Sequence, residues 1–409
     1  MIVQSPGELL GHETRECFHV KQKLYSIWGQ DLDPSAIQQM ENAMELPVSV
    51  KGALMPDAHQ GYGLPIGGVL AVDNAVIPYA VGVDIACRVK MSVLPLDFSL
   101  YDTRRGELKT ILDTQTLFGM GASFQRPKHH PVMDEDWDFC KVVKGVKDKA
   151  WKQLGTSGSG NHFAEFGKLV VETHALGIAP GEYIALLTHS GSRGAGAKIA
   201  KHYSNLAKFR HPELAPHLKD LAWLSMDTQE GITYFKAMEL MGRYAAANHA
   251  LIHGGIFSAL GESPLLALEN HHNFAWKEKI GLRPVLVHRK GAIPAGKGVL
   301  GIIPGTLADP GFVIQGRGNE EALNSAAHGA GRLMSRNVAM KRFTFNDLQA
   351  VLQKKQVLLI SAGLDEIPMA YKNIHHVMAQ QEALVETMAR FEPKLVKMAP
   401  AERQKKRFR

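Results

Sequence analysis

The sequence predicts an α/β protein built as one large domain, and two observations carry that expectation. Apolar, β-branched runs alternate with stretches of helical spacing along most of the chain. The residues that look chemically active are spread from position 57 to position 371, with no internal repeat or linker between them. Side chains so far apart can act together only if a single fold brings them together. Length alone, 409 residues, would favour two or three domains at roughly 150 residues each; the convergence argument overrides it.

Taken in order, Pro34–Met44 has the spacing of a helix. Leu54-Met-Pro56-Asp57-Ala-His59-Gln-Gly61-Tyr-Gly63 is dense in turn formers and leads into expected strands at 68–72 and 80–93, near-continuous apolar runs suited to a buried sheet. Residues 119–137 read as a long Gly/Pro/His-rich loop, either a solvated connector or a lip over a site. Phe139, Val142, Val143, Val146, Ala150 and Leu154 recur at helical spacing, and the glycines at 155–160 stop that helix. Strands are expected at 168–173 and 183–189. The second runs through Ser190-Gly-Ser-Arg193-Gly194 into an amphipathic helix ending near Phe209. Strand, Gly/Ser turn, helix is the arrangement that aims free backbone N–H groups at an anion, and Arg193 adds a guanidinium fork. Helices at 212–224 and 231–260 fill the middle. The last third alternates strands (285–288, 299–303, 312–315, 357–361) with helices, one of which opens on a capping-box variant at Thr344-Phe-Asn-Asp347. Residues 399–409 read as a basic tail.

Composition narrows the class. Hydrophobic residues make up 45% and charged residues 21%, ordinary for a soluble globular chain. The net charge of +7 and pI near 9.1 suit a polyanionic partner. Three cysteines, Cys17, Cys87 and Cys140, are too few for a disulfide framework and fit a reducing cytosol. The start, Met1-Ile-Val-Gln-Ser-Pro-Gly, lacks a signal pattern. No apolar run approaches the ~18 residues of a membrane helix, so the protein is expected to be cytoplasmic with no membrane partner.

The chemistry centres on Pro78-Tyr-Ala-Val-Gly-Val-Asp84-Ile-Ala-Cys87-Arg88. A carboxylate in so apolar a run is costly unless paired or bound to a cation, and Asp plus Cys supply one hard and one soft ligand from a single turn. His162, His189 and His272 each lie among Gly, Ser or Asn. Five O, S and N ligands are one too many for a closed four-ligand zinc site and suit two ions with a shared thiolate. Softness alone favours Zn, Co or Fe over Mn. His328 stands apart, between Ser325-Ala-Ala and Gly-Ala-Gly331, where missing side chains let a bulky phosphate ligand approach the ring. That context suits a nucleophile attacking an α-phosphorus beside a divalent metal.

Together these stretches resemble the RtcB family of RNA-splicing ligases, nearly end to end. The likeness is carried by Met55-Pro-Asp-Ala-His-Gln-Gly-Tyr-Gly63, Val81-Gly-Val-Asp-Ile-Ala-Cys87, Gly158-Ser-Gly-Asn-His-Phe163 and His189-Ser-Gly-Ser-Arg-Gly194. It continues through His272-Asn273, Arg289-Lys-Gly-Ala292, Ile303-Pro-Gly305, Gly318-Asn-Glu-Glu321, His328-Gly-Ala-Gly-Arg332 and Ile367-Pro-Met-Ala-Tyr-Lys372. The resemblance implies a single α/β domain of mixed sheets flanked by helices. It implies joining of an RNA 3′-phosphate or 2′,3′-cyclic phosphate end to a 5′-hydroxyl end, with GTP as co-substrate and two Mn2+ ions in place of the softer metals, in RNA repair or tRNA splicing. Cys87 then resembles the bridging thiolate, with Asp84, His162, His189 and His272 as the remaining ligands. His328 resembles the guanylylated histidine and Asp57 the aspartate that orients it. Asn161, Phe163, Glu165, Asn273, Pro304, Gly305, Thr306, Leu307, Gly329, Ala330 and Gly331 fall where the family holds the nucleotide, and Tyr371 where a ring packs on guanine.

The sequence departs from the family pattern in places. Ala86 and Arg88 replace the glycines that usually flank the bridging thiol, and Thr306 stands for a serine. Gly311 stands where a guanine-contacting serine is usual. Lys397 is one residue out of register with the lysine that meets the base. The middle helix has Asn248-His249 where Asn-Arg is usual. These changes imply looser GTP selectivity. Two other functions share parts of the pattern: a nucleotidyltransferase that caps 3′-phosphate ends without sealing, and a non-catalytic RNA-binding protein of the same fold. The pattern does not specify a helper protein. Arg88, Arg193 and the 403–409 tail are the expected contacts to RNA phosphates.

Overall fold

Two sheets, joined directly at residue 272, form the framework of the fold. The computed structural model describes residues 25–400; Cys17, the N-terminal stretch and the basic tail from 401 onward lie outside the described residues. The first sheet has five strands in the order Tyr25–Ile27, Ser49–His59, Ile66–Val72, Arg283–Lys290, Asn273–Ile280, all antiparallel except the first pair. The second runs Leu300–Ile303, Gly311–Gly316, Val385–Met398, Phe163–Val171, Gly181–Ser190, Arg88–Asp97, Leu266–His271, with Leu358–Ser361 added parallel to Val385–Met398. Its two ends are drawn together by one side chain. Asn270 Nδ2 donates to Ile302 O at 3.2 Å, and Asn270 Oδ1 accepts from Ile302 N at 2.8 Å. An amide side chain thus replaces a backbone pair and nearly closes the sheet, leaving little bare edge.

Helices cover the faces, so the α/β expectation holds. Gln229–Leu260, 32 residues long, starts at Thr228, whose side chain accepts from Gly231 N, and stops at Gly261 with φ +68°. Its His249, Ile252, Ile256 and Phe257 side is buried. Ile252, Ile256 and Phe257 pack on Ile184, Leu186 and Leu94 of the second sheet. The helix Arg193–Arg210 packs its Ile199, Ala200, Tyr203 and Ala207 into the largest core cluster, with Ala80, Val81 and Ile85. No helix among the described residues is long and apolar enough to cross a membrane.

Several elements differ from the sequence expectation. The run expected as a strand over 80–93 begins as a helical turn, Pro78–Val81, and becomes a strand only at Arg88. Gly82 at φ +99° ends the turn of helix, and residues 82–87 form the loop that carries Asp84 and Cys87. The expected helix at 212–224 is a short 3-10 segment, Pro216–Leu221, followed by a two-residue strand. Residues 139–154 hold two short helices, Lys141–Lys144 and Lys147–Gln153, broken at Gly145. The turn-rich stretch at 54–63 continues a strand, Ser49–His59, for its first half. Tyr101–Gln115 is an unanticipated helix, and Leu266–His271, Asn273–Ile280 and Val385–Met398 are unanticipated strands.

Candidate metal and nucleotide site

His272 is the single residue between Leu266–His271, the last strand of the second sheet, and Asn273–Ile280, the last strand of the first. It therefore sits at the seam. The loop 82–87 is sewn to that seam by backbone bonds: Ala86 N donates to Asn273 O at 2.7 Å and His272 N to Cys87 O at 3.0 Å. Ala86 has φ +55°, a left-handed conformation that costs a non-glycine residue roughly 1 kcal/mol. The bonds to residues 272–273 hold it there.

All five expected ligands converge. Cys87 Sγ lies 3.1 Å from His189 Nε2 and 3.3 Å from His162 Nε2. His189 Nε2 lies 3.3 Å from His272 Nε2, and His162 Nε2 lies 3.1 Å from Asp84 Oδ2. The atoms form two triads, Cys87–His189–His272 and Asp84–Cys87–His162, with the thiol common to both. Burial favours neutral imidazoles: it lowers the pKa of His162, and those of His189 and His272 more strongly. Burial pushes the Cys87 thiol well up, so its ionised form needs a cation beside it. Burial also opposes the Asp84 charge, but the His162 hydrogen bond and the positive charge of Arg193 hold the carboxyl below its ordinary range. His189 Nδ1–H donates to Asn161 O at 2.8 Å, which leaves its Nε2 lone pair facing the thiol. A buried set of thiol, carboxylate and imidazole donors, with His189 Nε2 bare, fits divalent cations; His162, which accepts from Arg193 at Nδ1, releases its Nε2 proton when it ligates.

The strand–turn–helix at 181–210 does aim its N–H groups at an anion, but the anion is Asp84. Ser192 N donates to Asp84 Oδ1 at 3.1 Å. Arg193 is likewise committed: Nη2 donates to His162 Nδ1 at 3.0 Å and Nε to Gly191 O at 3.1 Å. It reaches there because residue 158 is glycine (a Cβ would lie 1.4 Å from Arg193 Nη1). Arg88 is 5% exposed and binds Glu269 and Gly242 O. Neither arginine is free for an RNA phosphate, which corrects the expectation for both.

His328 stands beside the cluster, its ring centroid 4.8 Å from that of His272. Asp57, fully buried, comes from the opposite sheet and accepts the His328 ring Nδ1–H at 2.7 Å and its backbone N–H at 3.2 Å. The loop approaches this closely because Gly331, at φ +72°, has no Cβ; one would lie 2.3 Å from Asp57 O. With Nδ1–H donated, the ring lone pair is on Nε2.

A cavity of about 300 Å3 opens from His328 and the His189–His272 triad. Asn161, Phe163, Glu165, Pro304, Gly305, Thr306, Leu307, Gly329, Ala330, Gly331 and Tyr371 line it. Burial raises the Glu165 carboxyl well above its ordinary range. Residues not singled out for a role also line it: His59, Arg332, Arg336, Glu366 and Met398. The guanidinium of Arg332 covers one face of Tyr371 at 4.8 Å, and Arg332 Nη1 bonds both Tyr371 OH at 3.0 Å and Glu366 Oε2 at 3.2 Å. Only the other face of the tyrosine can meet a base. The one signal for Arg332 was its place at the end of the His328-Gly-Ala-Gly run.

Two expected nucleotide residues are elsewhere. Asn273 Nδ2 donates to Asp84 O at 3.1 Å and its Oδ1 accepts from Gly291 N at 3.0 Å; it braces the ligand loop. Lys397 faces the opposite side of its strand from Met398. Its Nζ donates to Asp113 O at 2.7 Å and Thr116 O at 3.1 Å and pairs with the Asp113 carboxylate at 2.8 Å. Gly311 is also off the cavity wall, its Cα backed onto Pro304.

A second cleft also reaches the cluster, through Asp84 and His162, and shares Asn161 and Arg336 with the first. The 119–122 part of the expected loop lines it, with Lys149, Gly158 to Asn161 and Arg336.

A buried thiol–imidazole–carboxylate cluster, an oriented histidine and a cavity opening onto both have the make-up of an enzyme active site that fits divalent cations. The comparisons then identify the family. The family model described as tRNA-splicing ligase RtcB matches residues 39–138 and 128–398. The chain is 32% identical over 389 residues to the RNA-splicing ligase RtcB of Escherichia coli K12, covering 88% of this chain and 93% of that one. It is 31% identical over 443 residues to the tRNA-splicing ligase RtcB of Methanococcus maripaludis (89% and 91%). With the RNA-splicing ligase RtcB of Mycobacterium tuberculosis it shares 29% over 428 residues (87% and 98%). The chain belongs to the RtcB family of RNA-splicing ligases.

Proposed function

We propose that this chain is a cytoplasmic RNA ligase that joins 3′-phosphate or 2′,3′-cyclic phosphate ends to 5′-hydroxyl ends with GTP and Mn2+, through a guanylylated His328. The observation that carries the reading is the geometry around that ring: Asp57 takes the Nδ1 proton at 2.7 Å, so Nε2 is the free nucleophile. Nε2 attacks the α-phosphorus of GTP, forming an N–P bond as the bond to the bridging oxygen breaks and pyrophosphate leaves. The RNA 3′-phosphate (formed by water from the cyclic ester where that is the starting end) then displaces the histidine and takes the GMP. The 5′-hydroxyl oxygen finally attacks the activated phosphorus and GMP leaves. Asp84, Cys87 and His162 would hold one ion and Cys87, His189 and His272 the other, and such ions neutralise charge that develops on phosphate oxygens. The choice of Mn2+ rests on the family alone.

The chain's own residues supply binding and orientation. The Gly329–Gly331 backbone lets phosphates approach, and the Glu165 carboxyl on the cavity wall matches the paired N–H donors of a guanine edge. The second cleft gives an RNA end its own access to the cluster, with Lys149 and Arg336 at its wall. The test is to mix the protein with Mn2+ and α-labelled GTP, look for labelled protein, and then add RNA with 3′-phosphate and 5′-hydroxyl ends. Label that appears and then disappears into joined RNA supports the reading. Label without joining reduces the function to capping, and no label removes the nucleotidyl mechanism.

A further inference from the structure

The long helix meets the metal-ligating strand through a row of hydroxyls and imidazoles that the mechanism does not use. Thr188 precedes the ligand His189, and side chains alternate along a strand, so Thr188 faces the helix while His189 faces the cluster. Thr188 Oγ1 lies 2.7 Å from His249 Nδ1 and 2.8 Å from His253 Nε2. His253 Nδ1 lies 2.8 Å from Ser92 Oγ, and His249 Nε2 lies 3.3 Å from Ser190 O. His249 and His253 are one helical turn apart on one face. None of the four side chains belongs to a residue more than 4% exposed.

One end of this row fixes every proton in it. A carbonyl only accepts, so His249 Nε2 carries a proton. Burial keeps both imidazoles neutral, lowering His253 to about 3 and His249 well below its ordinary value. His249 Nδ1 is therefore bare and accepts the Thr188 hydroxyl proton. That proton is then spent, so Thr188 Oγ1 must accept from His253 Nε2–H. His253 Nδ1 is bare in turn and accepts from Ser92. The four bonds run one way, Ser92 to His253 to Thr188 to His249, and end on Ser190 O. The same carbonyl is 3.6 Å from Cys87 Sγ. The neighbouring residue does parallel work: Asn248 Nδ2 donates to the next carbonyl, Gly191 O, at 2.9 Å. Consecutive helix residues thus hold consecutive carbonyls of the turn that follows His189.

We infer that Ser92, His253, Thr188 and His249 are positioning residues, a one-way hydrogen-bond chain that holds the Ser190 carbonyl and so fixes Cys87 and His189 in metal-binding register. The inference rests on the metal reading above. An arginine at 249, which the family resemblance leads one to expect there, has no acceptor and could not receive the Thr188 proton.

Two measurements test it. In two-bond 1H–15N spectra of the wild-type protein, His249 and His253 should both appear as neutral Nε2–H tautomers; an Nδ1–H tautomer at either overturns the chain. Co2+ titration, read by the thiolate-to-cobalt absorption of Cys87, follows the metal directly. Thr188→Val, which keeps the shape and removes the hydroxyl, should weaken Co2+ binding about tenfold, and Thr188→Ser should restore it. Wild-type Co2+ affinity and spectrum in Thr188→Val would overturn the positioning role. Failure of the wild-type protein itself to take up Co2+ would instead sink the metal reading. If Thr188→Val does not fold, the tautomer spectra alone decide.

Discussion

Asp57 and His328 are joined twice, with one carboxylate oxygen accepting both the ring Nδ1–H at 2.7 Å and the backbone N–H at 3.2 Å. The two contacts fix the ring's position and its tautomer together, as a nucleophilic imidazole requires. His328→Ala should abolish the covalent protein–nucleotide adduct while leaving metal content unchanged. It should still seal RNA already carrying a nucleotide on its 3′-phosphate, because that last attack does not use the histidine. Asp57→Ala should slow adduct formation by roughly 10²-fold without abolishing it. Labelled GTP followed by denaturing gels reads both, and an undiminished adduct in His328→Ala would place the nucleophile elsewhere.

The thiol shared by two triads makes a distinct prediction. Cys87→Ala removes a ligand from both, whereas Asp84→Ala removes one from Asp84–Cys87–His162 only. Bound metal per chain, measured by mass spectrometry after dialysis, should fall for both ions in Cys87→Ala and for about one in Asp84→Ala. Full occupancy in Cys87→Ala would rule out the dinuclear arrangement.

The ligand set was legible because each member sits in a short local motif whose small neighbours announce it. The placement of Asp57, Glu165 and Tyr371 was legible only through family resemblance. Charge was not legible at all: Arg88 and Arg193 carry the chemistry of phosphate contacts, and only burial shows that they serve Glu269, Asp84 and His162 instead. Val385–Met398 escaped notice because Pro393 and the charges at 386, 390, 392, 394 and 397 blur its alternation, although it is the longest strand of the larger sheet and pairs with three others. Helix Tyr101–Gln115 escaped for the related reason that only Tyr101, Leu108, Ile111 and Leu112 are buried.

Glu165 predicts opposite effects on stability and binding. Burial raises its folded pKa well above 4.5, so between the unfolded and folded values the native state holds a proton that the unfolded chain has released. Stability of the nucleotide-free protein should therefore fall as pH rises through that window. Glu165→Gln should remove that fall and raise the melting temperature on its alkaline side. The same variant should bind GTP more weakly, since a guanine edge needs two acceptors and the amide offers one. A melting curve of Glu165→Gln that keeps the wild-type pH dependence would contradict the assignment.

Lys397 is tied to Asp113 and Thr116, not to a base. Lys397→Met should cost about 1 kcal/mol of stability or more and leave the preference for GTP over ATP unchanged in a side-by-side labelling assay. A drop in selectivity would mean that the side chain swings to the nucleotide.

With Arg88 and Arg193 spent on internal partners, the salt dependence of RNA binding has to come from other cations. Lys149 is exposed, lines the second cleft and makes no ion pair among the described residues. Its neighbours across the cleft are Asp84 and His162, so a phosphate held by Lys149 lies on the way to the cluster. Arg336 also lines that cleft but is shared with Asp365 and Glu366, so it has less charge to give. Each phosphate neutralised on a single strand adds about 0.7 to the slope of log affinity against log salt. Lys149→Gln should therefore flatten that slope by about 0.7 and weaken RNA binding at low salt. Nucleotide adduct formation should stay at wild-type level, because Lys149 does not line the cavity beside His328. Anisotropy titrations of a labelled 5′-hydroxyl RNA over a salt series measure this. An unchanged slope in Lys149→Gln, with adduct formation intact, would show that the RNA reaches the cluster by a route other than this cleft.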